Sequence, residues 1–436
     1  MADHGLRKYN SSYKSTEKVF KLNNLFFFLL KLFQESLTQG YLIQIFSISE
    51  DASMLDDKRL SAHLENRPAQ LKEAQKNGTK IIGYLPGGYV PEELIHACGA
   101  VPVCLIKGGS LSVSDAALSV VPHIICPFTR AQIGERMLKN DPYYSRLDML
   151  IAPITCQHFK KLIDLWEYKG EIEMFKLGVP HQYESDFSLD YFTGRLRMMK
   201  DRLQEFTGNE ITDQKLSESI DLYNKMRRLL KQISLLRSKP DSPVSGLDFI
   251  KLNHASFYAD PAFMVDYLES YYDQIKDQHD PNSVAPRLMI SGPNISSGDY
   301  RVPELIEASG AKIIVEEVCE GIRYCWNEIE NNGDLFKSLA KAYLADRVPC
   351  AFMKDSAGKR LDFTLKLIKD FNVSGLVWYE LLNCETYDSE SCYFERELGE
   401  KGIPMLTLES DYSSADTGQI KTRIEAFIEI LKGELA

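Results

Sequence analysis

The stretch KIIGYLPGGYVPEELIHACGAVPVCLI, residues 80–106, decides the fold class of this 436-residue chain. Its apolar runs at 80–85 and 101–106 predict two short buried strands. The residues between them predict a helix that begins at Pro91 and ends at Gly99. A strand, a helix and a second strand in this order form a βαβ unit, in which the two strands are parallel.

The same unit occurs again in the C-terminal half of the chain. RLMISG (287–292) and AKIIVEEV (311–318) predict strands, and VPELIEASG (302–310) predicts the helix between them. Further apolar runs predict two more strands in each half, at 147–154, 174–180, 373–381 and 403–410. Strands that alternate with helices predict a parallel sheet. We therefore expect an α/β protein with two Rossmann- or flavodoxin-like domains that face each other.

A helical segment separates the two predicted domains. Its apolar residues recur every three or four positions, which indicates a buried helix face rather than a cofactor site. They are Leu216, Ile220, Tyr223, Met226, Leu230 and Ile233. The chain accordingly divides into an N-terminal extension with a helical segment (1–78), a first α/β domain (79–190), a helical segment with a linker (191–286) and a second α/β domain (287–436).

Composition and charge restrict the possible functions. An apolar content of 44% and a charged content of 26% are ordinary for a soluble globular protein. A net charge of -11 opposes general binding to nucleic acid or to anionic membranes. The apolar segment Leu25–Phe33 is too short to span a membrane. We expect a cytoplasmic protein without a membrane span, and we assign no function to residues 1–54.

The nine cysteines form the clearest chemical pattern. An odd number in a long chain without a signal peptide predicts reduced thiols, in an anaerobic cytoplasm, rather than disulfides. Six of them occupy matching positions in the two halves: in or just after the second strand, in the next segment, and after the third strand. These are Cys104, Cys126 and Cys156 in the first half, and Cys319, Cys350 and Cys384 in the second. We assign Cys98 to packing.

Matching thiols that follow parallel strands would meet across the cleft between two facing domains. Six thiolates could bind two four-iron clusters with three ligands each, leaving one iron of each cluster open. Structural zinc favours closely paired ligands, whereas these cysteines are widely separated in sequence. The competing interpretation is that the cysteines are small buried core residues.

The turn PGGY (86–89) and the helix after it form a second candidate site. Gly87 and Gly88 would direct backbone N–H groups towards an anionic group, with Glu92 or Glu93 as the catalytic acid or base. The alternative is an ordinary strand-to-helix turn, because carboxylates are favoured in the first turn of a helix. No GxxxxGK[ST] motif occurs, so we do not expect this chain to hydrolyse ATP itself.

The motifs GYLPGGYVPEELIHACGAVPV, CPFTR and IAPITC resemble the 2-hydroxyacyl-CoA dehydratase / benzoyl-CoA reductase family, and the resemblance extends over residues 80–432. It implies one [4Fe–4S] cluster per subunit, bound by cysteines that match Cys126, Cys156 and Cys384. It also implies that a carboxylate matching Glu93 or its neighbour lies near the active site. In this family an ATP-dependent activator protein with its own cluster supplies a low-potential electron.

The C-terminal half is most similar to the double-cubane cluster proteins of that family, through EEVCEGIRY, VPCAF and IPMLTLESDYSSADTGQIKTRIEAFIE. In that branch two [4Fe–4S] units are joined through a sulfide, and extra ligands are expected at positions matching Cys319 and Cys350. The resemblance implies an oxidoreductase that reduces small molecules and depends on a separate activator ATPase. That branch has its strand-two cysteine where this chain has Ile106, so Cys104 would have to substitute.

Two alternatives remain open. The chain could be component D of a 2-hydroxyacyl-CoA dehydratase, a lyase that eliminates water from an acyl-CoA thioester with a single cluster, or a non-catalytic electron relay. It would form a homodimer, or a heterodimer with a homologous subunit. Many dehydratase subunits have an acidic residue after the second and third cluster cysteines. Here Gln157 follows Cys156, although Glu385 follows Cys384.

Overall fold

The computed structural model of the protein describes residues 58–170, 172–280 and 284–435, which belong to one compact unit, Met54–Ala436. Its strands are β1 (Ile81–Tyr84), β2 (Val101–Cys104), β3 (Met149–Ile154), β4 (Glu173–Gly178), β5 (Arg287–Ser291), β6 (Lys312–Glu317), β7 (Gly375–Leu381) and β8 (Met405–Ser410). The first helices are α1 (Lys58–Lys76), α2 (Glu92–Ala97), α3 (Leu111–Ala116), α4 (Pro127–Leu138), α5 (Gln157–Lys169), α6 (Asp186–Thr207) and α7 (Asp213–Leu236). They are followed by α8 (Gly246–Ser256), α9 (Pro261–Ile275), α10 (Arg301–Ala308), α11 (Ile322–Cys325), α12 (Leu335–Ala340), α13 (Ser356–Phe371), α14 (Glu385–Gly399) and α15 (Thr417–Leu435).

The strands form two four-stranded parallel sheets with the same topology, β2-β1-β3-β4 and β6-β5-β7-β8. Strands β1 and β5 are buried at every residue, because helices cover both faces of such a sheet, and the middle of each strand is apolar. This arrangement confirms the predicted α/β fold with two parallel-sheet domains.

Helices α6 to α9 form the predicted helical segment between the sheets. The apolar stripe of α7 is fully buried, with Leu216, Ile220 and Leu230 completely inaccessible to solvent, which confirms its role in packing. The same helix contacts α2 in the first half and α11 in the second. Helix α7 therefore connects the two halves at the level of the site described below.

The loops that follow β2 and β5 join the two halves directly. The N–H of Ser297 donates to the carbonyl of Ile106 at 2.8 Å, and the N–H of Gly108 donates to the carbonyl of Ser297 at 3.1 Å. Gly109 has a φ of +78°, and a Cβ at this position would lie 2.4 Å from the carbonyl oxygen of Gly298. Only glycine permits this close approach. Both loops leave the carboxyl ends of their strands, so the carboxyl ends of the two sheets border one cleft.

No helix within the described ranges is long and apolar enough to cross a membrane. The apolar segment Leu25–Phe33, considered above, lies outside those ranges.

Candidate cofactor and active site

Three of the predicted ligands occupy the N-cap positions of three different helices. Cys126 precedes α4, Cys156 precedes α5 and Cys384 precedes α14. Helices α5 and α14 follow strands β3 and β7. Strand β3 lies beside β1 and strand β7 lies beside β5, at the position in each sheet where the strand order changes direction. This is the place where ligands of open parallel sheets bind. The backbone N–H groups of a helix N-terminus carry partial positive charge, which favours a thiolate there.

The three thiols lie close enough to influence one another's ionisation. Burial raises the pKa of Cys156 to about 12, and the neighbouring Cys126 is the second cause. The pKa of Cys384 is also raised by burial, and next by Cys126 and Cys156. The Cys126 thiol donates a hydrogen bond to Thr129 Oγ1 at 3.2 Å. Burial makes these thiols costly to ionise. A bound metal ion would offset that cost, because coordination favours the deprotonated thiolate.

Cys319 and Cys350 form a second group of predicted ligands. Their sulfur atoms are 4.0 Å apart, and they lie 3.4 and 3.7 Å from the hydroxyl oxygen of Tyr387. Arg323 donates to the same hydroxyl oxygen at 2.7 Å and approaches the sulfur of Cys319 at 3.7 Å. The hydrogen bond from Cys319 is the largest cause that lowers the pKa of Cys350, to about 5, and the charge of Arg323 lowers it further. The pair therefore favours one negative charge beside a buried cation.

The two groups of thiols adjoin each other. The charge of Cys350 is among the causes that raise the pKa of Cys156, so these two thiols are near each other. Five of the six predicted ligands therefore lie in one region, and both halves of the chain contribute to it. Cys104 differs, because the groups that act on its buried thiol are Glu320, Glu92 and Tyr84 rather than other cysteines. Among the described residues, no three His, Cys, Asp or Glu side chains are placed so that they could bind one metal ion together. The five grouped thiols form the candidate cofactor site.

A pocket of about 50 Å³ lies beside Cys319, between the two halves. A volume of this size can hold a few water molecules or a few heavy atoms of a ligand. The wall includes residues of both domains and of the connecting helix α7: Tyr84, Gly88, Glu92, Cys104, Arg227, Cys319, Glu320, Arg323, Tyr324, Tyr343 and Arg347. The pocket thus combines carboxylates, guanidinium groups and hydroxyls next to the candidate cofactor site.

Glu92, one of the two predicted catalytic acids, lines this pocket. Its Oε2 accepts a hydrogen bond from the Tyr84 hydroxyl at 2.6 Å, and its Oε1 accepts one from Tyr324. Burial, followed by the charge of Glu93, raises the pKa of Glu92 to about 7. A carboxyl with this pKa can hold or release a proton near neutral pH, as a general acid or base must.

Glu93, the other predicted acid, is completely buried and bonded through both carboxylate oxygens. Its Oε1 is ion-paired with Arg227 of α7, and its Oε2 accepts a hydrogen bond from the Tyr343 hydroxyl at 2.8 Å. The guanidinium of Arg227 also donates to the Tyr343 oxygen at 2.8 Å. Glu93 therefore fixes α2 against α7, whereas Glu92 reaches the pocket.

The PGGY turn contacts an anionic group that belongs to the protein itself. The N–H of Gly87 donates to Glu320 Oε1 at 2.5 Å. The second oxygen, Oε2, is buried and has no hydrogen-bond partner among the described residues. Burial raises the pKa of Glu320 to about 7. The side chain of Arg347 donates to the carbonyl of Gly88, where a Cβ would collide with the guanidinium.

Sequence reasoning did not identify the charged and hydroxyl groups around the sulfur atoms. Arg323 follows Cys319 by four residues, and Tyr387 follows Cys384 by three. These short separations in the chain are the only local signal, because Cys319 precedes helix α11 and Tyr387 contacts the sulfur atoms of Cys319 and Cys350 rather than that of Cys384. Arg227 and Tyr343 offer no comparable signal, because they reach the site from distant elements.

Substituting Glu92 by glutamine is expected to reduce the pH dependence of stability. A carboxyl with a pKa of about 7 in the folded protein and an ordinary value of 4.5 stabilises the fold below pH 4.5 and loses that contribution as the pH rises through 7. The loss reaches up to about 3 kcal/mol. Urea unfolding between about pH 5 and pH 8 should show a decline in the wild type that is shallower in Glu92→Gln. If the free energy of unfolding declined equally with pH in the wild type and in Glu92→Gln, this role for Glu92 would be contradicted.

The fold and the site define an α/β protein with a thiol-rich cleft between two parallel sheets. A family model described as 2-hydroxyglutaryl-CoA dehydratase, D-component, matches residues 88–431. The chain belongs to this family, which confirms the predicted resemblance. The matched range contains Glu92, Glu93 and all six predicted cysteine ligands.

Relatives of known name support the same assignment. YjiM of Escherichia coli (strain K12), provisionally named as a dehydratase subunit, is 28% identical over 349 residues, which cover 79% of this chain and 89% of the relative. A benzoyl-CoA reductase subunit of Thauera aromatica is 24% identical over 370 residues, 83% of this chain and 93% of the relative. The (R)-phenyllactyl-CoA dehydratase beta subunit of Clostridium sporogenes is 23% identical over 362 residues, 83% of this chain and 94% of the relative. The protein is thus an enzyme subunit of a family that includes dehydratases and reductases.

Proposed function

We propose that the protein is an iron–sulfur reductase of small molecules that receives low-potential electrons from a separate ATP-dependent activator protein. The observation that carries the proposal is the group of five thiols in one cleft. A four-iron cluster with one open iron uses three thiolates, which Cys126, Cys156 and Cys384 could supply. Cys319 and Cys350 would be additional thiolates, beyond the three that one such cluster needs. Their proximity supports a second cluster, joined to the first as a double cubane.

The donor set is chemically suited to iron–sulfur groups. All five thiols are free, and they come from loops and helix N-termini, where several sulfur atoms can converge on one inorganic core. The N-termini of α4, α5 and α14 and the guanidinium of Arg323 would offset the negative charge of the thiolates. Cys104 as a further ligand of the second cluster is a separate proposal, because no thiol is among the groups that act on it.

The cluster, when bound, would supply electrons one at a time at low potential. The residues of the pocket would bind the substrate and manage its protons. Reduction of a substrate by two electrons takes up two protons, and Glu92 and Glu320 are two carboxyls whose pKa values of about 7 allow them to donate. The free Oε2 of Glu320 could also accept a hydrogen bond from an N–H or O–H of the substrate.

The comparisons favour a second candidate function, a subunit of a 2-hydroxyacyl-CoA dehydratase with one cluster. The two functions differ in electron balance. A reductase consumes two electrons for each product molecule, whereas elimination of water leaves the oxidation state of the substrate unchanged and consumes none. A non-catalytic electron relay, the third candidate, would convert neither kind of substrate.

Replacing Cys319 or Cys350 by serine is expected to lower the iron content from about eight to about four atoms per chain, because each variant loses a ligand of the proposed second cluster. The measurement is iron and sulfide quantitation with EPR spectroscopy on protein purified without oxygen. Cys392→Ser is the control, since Cys392 is an exposed free cysteine outside the site. Its iron content should equal that of the wild type.

The outcomes separate the candidate functions. Unchanged iron and activity in Cys319→Ser and Cys350→Ser would contradict the double cubane and favour the single-cluster dehydratase. Only zinc, or no metal, in wild-type protein would remove all cluster proposals. The count of electrons consumed per product, with the activator ATPase present, then distinguishes a reductase from a dehydratase.

A further inference from the structure

The hydroxyl of Tyr387, in the first turn of α14, contacts two sulfur atoms and one guanidinium. Arg323 donates to the hydroxyl oxygen at 2.7 Å, and the sulfur atoms of Cys319 and Cys350 lie 3.4 and 3.7 Å from it. A guanidinium can only donate, so the tyrosine oxygen accepts the hydrogen bond from Arg323. The single proton of the hydroxyl is therefore available to the two sulfur atoms.

Binding of iron would fix the direction of these sulfur contacts. Between a free thiol and a hydroxyl either partner can donate, but a metal-bound sulfur has lost its proton and can only accept. A tyrosine hydroxyl has an ordinary pKa of about 10, so it keeps its proton at neutral pH. Tyr387 is thus a hydrogen-bond donor directed at any anionic group that Cys319 and Cys350 bind.

Arg323, which orients the hydroxyl, is itself anchored to the sheet. Its Nε is ion-paired with Oε1 of Glu317, and neither side chain is exposed. The second carboxylate oxygen of Glu317 accepts a hydrogen bond from Ser291 Oγ at 2.7 Å. Glu317 and Ser291 are paired at the ends of the neighbouring strands β6 and β5. The donor to Tyr387 is therefore held in place before any charge develops on the sulfur atoms, as effective electrostatic stabilisation requires.

A second buried guanidinium lies over the ring of Tyr387. The central carbon of Arg360 in α13 is 4.6 Å from the ring centroid, and its side chain is completely buried. Arg360 is ion-paired with Glu390, but its Nε and Nη1 have no hydrogen-bond partner among the described residues. Such unpaired donors of a buried cation are costly unless negative charge lies nearby. Cys350 is close enough for the charge of Arg360 to favour its thiolate, so an anionic group there would offset this cost.

We propose that Tyr387 is a positioning residue, which donates a hydrogen bond to the sulfur ligands Cys319 and Cys350 and thereby raises the reduction potential of the iron–sulfur group bound there. The inference rests on the proposed function, because it requires these two thiols to bind such a group. Reduction adds negative charge, and a donor directed at the sulfur atoms stabilises the reduced form more than the oxidised form. Tyr387 keeps its proton throughout, so the electron balance of the reaction is unchanged.

The raised potential gives the electron a preferred position in the cleft. Cys319 lines the pocket that also contains Glu92 and Glu320. An electron that enters the cleft would be retained beside this pocket, next to the two carboxyls that are proposed to donate protons. The iron–sulfur group at Cys319 and Cys350 would thus be the one that reduces the substrate.

The test is a redox titration, followed by EPR spectroscopy, of the full-length iron-loaded protein purified without oxygen. Tyr387→Phe keeps the ring and removes only the hydroxyl, so the iron content should be unchanged. One midpoint potential should fall, because loss of a group that supports a metal ligand costs at least about tenfold, equal to about 59 mV for one electron. Electron–nuclear double resonance gives a second readout: an exchangeable proton coupled to the iron–sulfur group should be present in the wild type and absent in Tyr387→Phe.

Tyr144 supplies the matched control. It is also completely buried, but its hydroxyl donates to the side-chain oxygen of Gln132 rather than to sulfur. Tyr144→Phe should therefore leave every midpoint potential unchanged. An equal fall in the two variants would overturn the inference, because loss of any buried hydroxyl would then explain it.

The remaining outcomes separate the inference from the proposed function. Full iron content with unshifted potentials in Tyr387→Phe would overturn the inference alone, and so would loss of iron from this variant, since the hydroxyl would then be needed for binding. About four iron atoms per chain in the wild type would overturn both the double cubane and the inference. The expected fall in potential, in a protein whose reaction consumes no electrons, would support the inference and overturn the reductase.

Discussion

Replacing Cys156 by serine is expected to lower activity by more than about 100-fold and to remove at least half of the iron. Cys156 caps α5 at the carboxyl end of β3 and adjoins both groups of thiols, since Cys126 and Cys350 each act on its ionisation. Loss of groups that only support metal ligands already costs about 10–100-fold, so loss of a ligand should cost more. Activity and anaerobic iron content measure the effect.

The matched control for Cys156→Ser is Cys325→Ser. Cys325 is buried, whereas Cys156 is partly buried, and the Cys325 thiol donates to the carbonyl of Ile322 at 3.7 Å, a contact that a serine hydroxyl can make. This variant should retain iron and activity. Equal losses in the two variants would show that buried cysteines matter for folding alone, and retention of iron by Cys156→Ser would contradict its assignment as a ligand.

Replacing Arg227 by methionine is expected to lower the free energy of unfolding by about 3–5 kcal/mol. The substitution removes the cation from the buried carboxylate of Glu93, and a buried charge without its partner is strongly destabilising. It also removes the hydrogen bond from the guanidinium to Tyr343. Urea unfolding of the two proteins gives the difference directly.

The neighbouring residue supplies the control for this second prediction. Arg228 is ion-paired with Glu328 at 2.5 Å, but both side chains are about half exposed, at 54% and 42%. Arg228→Met should therefore cost only about 0–1 kcal/mol. The double variant Arg227→Met/Glu93→Gln should recover part of the lost stability, because no uncompensated charge remains. Similar effects of Arg227→Met and Arg228→Met would contradict the importance of burial.

These two arginines show why part of the site could not be predicted from sequence. They are adjacent in α7, whose apolar stripe correctly indicated packing. Nothing local distinguishes the arginine that bonds to Glu93, 134 positions earlier in the chain, from the one that remains in solvent. Burial and charge pairing across two domains depend on tertiary contacts, which a helical periodicity does not encode.

Features that depend on neighbouring residues were predictable. Most of the strands are apolar runs, and two of the thiols, Cys156 and Cys384, lie where a strand passes into a helix. Helix α4 carries such a local signal, since Pro127 occupies its first turn after Cys126, but no elements were predicted for residues 107–146. The six matching cysteine positions predicted a shared cleft, and the structure groups five of them there. Cys104 remains a predicted ligand, and it lines the same pocket as Cys319.

The distribution of the cleft residues over both halves has a consequence for biosynthesis. Cys126 and Cys156 leave the ribosome more than 200 residues before Cys384, a delay of tens of seconds at about 5–20 residues per second. During that time the nascent chain carries the first thiols without the second sheet that completes their surroundings. The cleft can close only after β7 has been made and has paired with β5. Loading of any group held by both halves must therefore follow translation of nearly the whole chain.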